Sequence, residues 1–389
     1  MKTVIRAYPR GTVAAALLVL FAMCMAPRES AAQGCVVARG AGMSAEHFVS
    51  SSLFEDEDSE PVFSFTTAYR SLHSGRHFVG TEEQKERQEE GSQVINHSDF
   101  LDLGFTYSFS PRTSATLTLP VVRHDRSQVV RANDAQRTIL ERFSTQSSGI
   151  GDIRVMGSWW VSDPRTRPRG NVQIGLGFDA PTGKKDVNDD FDIYDTATRR
   201  IVQSRRTVDQ SIQPGDGGWA LLVDLYGYRQ LGEHFSFYAN GFYAVTPQEK
   251  NGVPTFRSNP FEAEMSIADS YMLRTGFEYV MPPQLMRNLM FSLGARMEGV
   301  PIRDLVGGSN GFRRPGYAVS IEPGVSARFG SWAATLYAPF AVRRDRPRSV
   351  PDLQWSEATG VRRAGDAAFA DYTINLSITK QFGVDRSSR

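Results

Sequence analysis

The amino-acid sequence predicts an all-β fold: a transmembrane antiparallel up-and-down β-barrel of about 12 strands, with long extracellular loops and short periplasmic turns. Three observations carry this. Strand-length segments alternate between large apolar residues and polar or charged ones. The chain opens on an export-type leader. Long polar connections alternate with short turns in the order that an even-stranded barrel requires. The clearest strand lies near the C-terminus, where Tyr372, Ile374, Leu376, Ile378 and Phe382 share one parity and Thr373, Asn375, Ser377, Thr379 and Gln381 the other. Successive side chains of a strand point to opposite sides, so this strand faces two different solvents.

At the N-terminus, Lys2, Arg6 and Arg10 precede the apolar run Val13 to Met25, and Ser30-Ala31-Ala32 offers small residues for cleavage. Residues 1–32 therefore read as a removed secretory signal, the run falling short of the roughly 20 residues a spanning helix needs. Cys24 lies in that leader and Cys35 beyond it, which leaves the mature chain no internal disulfide. Cys35 lacks the apolar residue of a lipid-attachment site upstream. Removing residues 1–32 turns 44 basic and 43 acidic residues into 40 and 42, a balance that gives no reason to expect nucleic acid as a partner. Mean hydropathy is −0.34, and no other stretch approaches a transmembrane helix, so membrane insertion requires a barrel.

Residues 33–60 have a different texture, rich in small residues and ending in the acidic group Glu55, Asp56, Glu57, Asp58 and Glu60. This flexible segment reads as a periplasmic lead or as a plug tucked into the lumen, and the sequence leaves both open. The barrel is expected over residues 61–382, with residues 383–389 as a C-terminal tail.

From Phe63 one unit repeats: an alternating strand, a long polar loop, a second strand, a short turn. Phe63, Phe65 and Tyr69 oppose Ser64, Thr66 and Arg70; Leu101 to Phe109 oppose Asp102 to Ser108; Ser110-Pro111-Arg112 turns into Ala115 to Val121. Ile153, Val155 and Trp159 then oppose Asp152 and Arg154, followed by Val172 to Phe178. A long loop is expected from Pro181 to Gly218. Strands at 219–226, 235–243, 271–279, 289–298, 317–328 and 332–342 follow, broken by Gly232-Glu233, Pro282-Pro283 and Gly330-Ser331. The apolar parity carries almost no charge beyond Lys380 and Arg123 near strand ends. Lipid contact demands this, since a charge at the bilayer midplane costs about 2–4 kcal/mol. Tyr69, Tyr107, Tyr279 and Phe382 fit interfacial girdles.

Several stretches resemble the outer-membrane transporters associated with the meta-pathway of phenol degradation. They are Gly149-Ile150-Gly151-Asp152-Ile153-Arg154, Gly175 to Gly183 (GLGFDAPTG) and Gln210 to Trp219 (QSIQPGDGGW), while Asn251 to Thr255 and Gly311 to Gly316 resemble an uncharacterised branch. The resemblance covers most of the mature chain and implies the barrel architecture; its motifs are glycine turns rather than catalytic signatures. The chain departs from the usual aromatic ending, since Gly383 to Arg389 follow Phe382.

The polar parity carries the candidate site. Arg70, Asp102, Asp152, Arg154, Asp224, Arg274, Glu278, Arg296, Glu298, Glu322, Arg328 and Asp371 are expected to line the pore. Two readings stand side by side: a salt-bridged plug that holds a narrow barrel shut, or a selective path. Both signs are present, which argues against strong ion selectivity. Asn96-His97-Ser98-Asp99 holds hydrolase residue types, but alternating faces prevent convergence. His73 and His77 with Glu82 or Glu83 read better as a solvated loop than as metal ligands. Asp186, Asn188, Asp190 and Asp192 start with calcium-loop spacing, yet Phe191 stands where glycine is wanted and Ala197 where a glutamate should close the loop. No cofactor or metal is expected.

The expectation is a bacterial outer-membrane channel passing a small, apolar or aromatic solute by diffusion, the solute class resting on the resemblance. Its partners are the lipid bilayer, the solute and the barrel-assembly machinery. The competing classes are a lipid-acting barrel enzyme and an adhesion or structural barrel working through its loops.

Overall fold

The computed structural model describes residues 61–286 and 288–383. The expected segments 1–32 and 33–60, and the tail beyond Gly383, lie outside the described residues.

Fourteen strand segments build the wall. They are β1 (Pro61–Ser74), β2 (Ile95–Ser110), β3 (Thr113–Arg131), β4 (Ile139–Ile150), β5 (Ile153–Trp160), β6 (Gly170–Ala180) and β7 (Ala220–Gln230), then β8 (Phe235–Val245), β9 (Ser270–Val280), β10 (Leu289–Val300), β11 (Gly316–Phe329), β12 (Trp332–Tyr337), β13 (Phe340–Asp345) and β14 (Thr373–Gly383). β4 and β5 pair in turn with the upper and lower halves of β3, and β12 and β13 with the two ends of β11, so each couple makes one wall strand. The result is 12 antiparallel strands, each bonded to its neighbour in sequence, and β1 pairs with β14 from Leu72↔Thr373 down to Pro61↔Gly383 to close the barrel. Closure leaves no open sheet edge in lipid.

The apolar parity faces outward as the pattern requires. Leu176, Leu225, Leu273, Phe277, Leu293 and Ile321 are each at least half exposed, on five different strands. In water so much exposed apolar surface would be a liability; around a barrel it is the lipid-facing band. Aromatics crowd the short-turn end: Phe235 on Tyr279 (4.9 Å), Phe237 on Phe277 (5.7 Å), Phe63 on Phe382 (5.6 Å). Lys380 is on the outward parity, but its Nζ reaches past Trp332 (5.0 Å from the ring) to the Ser331 hydroxyl in a turn, which takes the charge out of the apolar band.

The structure differs from the sequence expectation above the bilayer. The loop expected after Val121 is instead ladder: β3 runs on to Arg131 and pairs with β4 through Arg131↔Ile139. The long loop from Pro181 contains a further hairpin, Asn188–Asp195 with Arg200–Thr207. Beyond the bilayer the backbone ladder continues, but water on both faces removes the need for an apolar parity, and the pattern disappears with it. The strand expected over Trp332 to Val342 is interrupted at Ala338-Pro339, where proline cannot donate to the ladder.

Candidate functional site: a charged lumen beneath an arginine-lined vestibule

The inward parity fills the short-turn half of the barrel. Trp160, Tyr226, Tyr228, Tyr238 and Met290 pack as one buried cluster, with Trp160 edge-on to Tyr226 (6.1 Å) and Tyr228 (6.0 Å). Tyr238 lies over two glycines: a Cβ on Gly294 would meet its hydroxyl at 2.4 Å, and one on Gly276 at 2.9 Å. Alternating glycine and tyrosine across adjacent strands lets rings lie flat within a narrow lumen.

Next comes a belt of charge. Arg274 and Arg296 are direct cross-strand partners on β9 and β10, an arrangement that repels unless a carboxylate intervenes. Glu322 on β11 supplies it: Arg274 donates to Glu322 through Nε (2.8 Å) and holds Nη2 in ion-pair contact with the same oxygen (2.5 Å), and Arg296 reaches the same carboxylate (3.4 Å) and Glu298 (2.8 Å). The Arg274 guanidinium also lies over the Tyr337 ring at 4.6 Å. On the opposite wall Arg154 donates to Asp102 (2.8 Å), and Arg70 sits over Phe100 at 4.5 Å. Asp224 accepts from Asn240 (3.0 Å). Glu278, 1% exposed, has no hydrogen-bond partner on either carboxylate oxygen among the described residues. The arginines and glutamates of the Arg274–Glu298 group are 1–2% exposed, so this level is packed shut in the described structure. Arg274 thus pairs with Glu322 rather than with Glu278 on its own strand. Of the remaining sequence candidates, Arg328 is at the short-turn mouth with Gly330 O (3.1 Å) and Gln381 (3.2 Å). Asp371, just before the first residue of β14, is held by Arg76 (2.5 Å) and Arg344 rather than by a belt residue.

Above the belt is a cavity of about 150 Å³. Phe100, Pro120, Val122, Leu222 and Phe242 give it apolar walls, and Asp102, Asp152, Arg154 and Asp179 polar ones. Its roof is the QSIQPGDGGW segment, folded inward where the wall breaks between β4 and β5. Asp152, in that break, accepts from the backbone N–H of Gly183 (2.9 Å) and of Asp216 (3.2 Å). Gly183 and Gly215 meet backbone to backbone, since a Cβ on Gly215 would lie 2.6 Å from the Gly183 carbonyl oxygen. Ser147 donates to Ile212 O, Gln213 to Val208 O (3.0 Å), and Ile212 is fully buried. The motif glycines therefore serve a close approach, which no period-two pattern could have announced.

Over this roof the loops enclose a second cavity of about 660 Å³, and Arg314 lines both. Asp209 divides them: Arg314 grips it with two bonds (2.7 and 2.8 Å) and Arg126 approaches at 3.5 Å. Burial would raise the Asp209 carboxyl, but Arg126 and Arg314 hold it well below the usual carboxylate range. Burial, and then the neighbouring Arg314, push the Arg257 guanidinium below its ordinary value. Opposite, Asp366 meets His77 (2.6 Å) and Arg87 (2.9 Å); burial would raise its carboxyl, but these partners hold it low. Sequence reasoning missed this vestibule because its arginines come from separate loops with no shared motif. His77 lies inside it, whereas His73 stacks on His97 at 5.6 Å, so the two histidines do not converge. Asn96 and Ser98 are buried inward while His97 is exposed, and Asn188 to Asp192 lie along an extended strand, with Asp190 facing Arg205 (3.4 Å).

No protein-family model and no curated protein matches the chain. Among solved structures, the COG4313 outer membrane channel from Pseudomonas putida F1 aligns at 12% identity over 84% of this chain and 98% of that one, with a TM-score of 0.51. The fold is therefore that of an outer-membrane β-barrel channel. The Pseudomonas putida toluene transporter TodX aligns at 10% identity over 90% of this chain and 96% of its own, with a TM-score of 0.43, and adds nothing to that assignment.

Proposed function

We propose that the protein is a bacterial outer-membrane channel through which a small, largely apolar or aromatic solute crosses by diffusion. The observation that carries this is the apolar-walled cavity of about 150 Å³ held inside the barrel between the charge belt and the roof segment. A lumen serving only to brace the wall has no use for an apolar chamber there. The belt residues Arg70, Asp102, Arg154, Arg274, Arg296, Glu298 and Glu322, with Asp224 and Glu278, act as the gate on the path, and Arg328 as its exit. A narrow belt of both signs favours uncharged groups at this level, because an ion would leave one partner uncompensated. The leader over residues 1–32, the segment 33–60 as lead or plug, and delivery by the barrel-assembly machinery belong to the same reading.

Refolded mature protein in a planar bilayer tests it. Single-channel steps, together with flux of toluene-sized solutes into liposomes above that of empty liposomes, support the channel. Absence of both in the full mature chain and in a chain lacking residues 33–60 removes it.

A further inference from the structure

We infer that the extracellular vestibule is a binding site for an oxyanion, a carboxylate or phosphate group carried by a small solute entering the channel. The inference rests on the channel reading and narrows its solute class to molecules with an acid head.

Seven arginines line the vestibule, against two lining carboxylates, Glu262 and Asp366. Two more carboxylates stand behind the arginines: Asp209, already described, and Asp352, which faces Arg346 at 3.5 Å. A surplus of three positive charges remains. Three of the seven form a buried floor, for Arg126, Arg314 and Arg346 are only 6%, 8% and 2% exposed, while Arg257 and Arg362 are exposed at its entrance. Cation crowds cation: Arg257 and Arg314 both lie over the single Phe312 ring, at 3.7 and 4.5 Å from its centroid. Glu262 is shared between Arg257 (3.7 Å) and Arg363 (3.3 Å). The Arg346 Nε–H has no hydrogen-bond partner among the described residues, although a buried donor is costly to leave unmet.

Concave positive surface with low-dielectric walls concentrates anions, and the arginine fork matches carboxylate and phosphate geometry in particular. Phe312 and Trp355 add apolar faces to the same cavity for the rest of the solute. The site also communicates with the lumen. An anion taking the Arg314 fork replaces Asp209, the residue that ties the roof segment to the vestibule, so binding loosens the roof of the lower cavity.

The test is calorimetric titration of detergent-solubilised mature protein with benzoate and with inorganic phosphate, at constant ionic strength, with benzyl alcohol as the neutral comparison. Saturable binding of at least one anion, absent for benzyl alcohol, is expected; the tighter anion tells an aromatic acid from a phosphate ester. Arg257→Gln should weaken it about tenfold, the loss of one charge-assisted bond. Glu262→Gln should tighten it, a result that a merely misfolded loop cannot give. Binding of neither anion, or equal affinity in wild type and both variants, overturns the inference. Because the titration needs no conduction, a barrel that conducts but binds neither anion loses the site and keeps the channel. One that binds but never conducts does the reverse.

Discussion

Glu322→Gln is the sharpest perturbation of the belt. Glu322 compensates two arginines placed directly opposite each other across β9 and β10, at 2.5 and 3.4 Å, with side chains 1% exposed. Its loss leaves Arg274 without its carboxylate and Arg296 with Glu298 alone. Breaking a buried pair on one side costs about 3–5 kcal/mol. With a urea slope of about 3 kcal/mol/M, the midpoint should fall by about 1 to 1.7 M. Folded fraction is read from heat-modifiable gel mobility after equilibration in urea and detergent. The double variant Arg274→Ser with Glu322→Ser removes both charges, so its midpoint should lie well above that of Glu322→Gln, while its conductance rises because two large side chains have left the packed level. If Glu322→Gln unfolds at the wild-type midpoint, the belt is hydrated rather than packed, and its role as a closed gate fails.

Three further outcomes are expected. Gly215→Ala, which sets a methyl against the Gly183 backbone, should cost about 1–3 kcal/mol and speed hydrogen exchange in residues 208–218, with the transmembrane strands unaffected. Asp209 and Asp366 are both depressed in the folded state, so the stability they give is present above about pH 4 and is lost as pH falls through their folded values. Thermal scans followed by tryptophan emission should agree at pH 7 and pH 5 and soften below pH 4, and an acid-insensitive scan would contradict the pairing drawn for the vestibule. Removing residues 33–60 should raise single-channel conductance where that segment plugs the barrel, and unchanged steps would place it outside the lumen.

The wall was legible because lipid imposes a rule on every outward position. Leu293 and Phe277 had to be apolar, Glu278 and Arg296 had to be inward, and the alternation of long and short connections fixed the side on which the ends lie. Where lipid stops, legibility stops. β3 and β4 above Val121, and the hairpin over 188–207, are ladders whose outward residues include Arg123 and Asp190, indistinguishable by pattern from loops. The belt's members were readable from parity, but their partners were not: register alone put Arg274 beside Arg296, and three-strand geometry put Glu322 between them. Parity says which face a residue takes and not how far along the axis it lies, so nothing in the pattern pairs Asp371 with Arg76 and Arg344 rather than with the belt.

The two layers of the site make opposite demands on a solute, and their order resolves the conflict. The vestibule offers surplus positive charge, whereas the belt is a balanced network closed to ions in its packed form. A solute with an acid head and an apolar body can satisfy both only if the head stays with Arg314 while the body enters the chamber lined by Phe100, Val122 and Phe242. Arg314 lines both cavities, so no intermediate position without a partner is required.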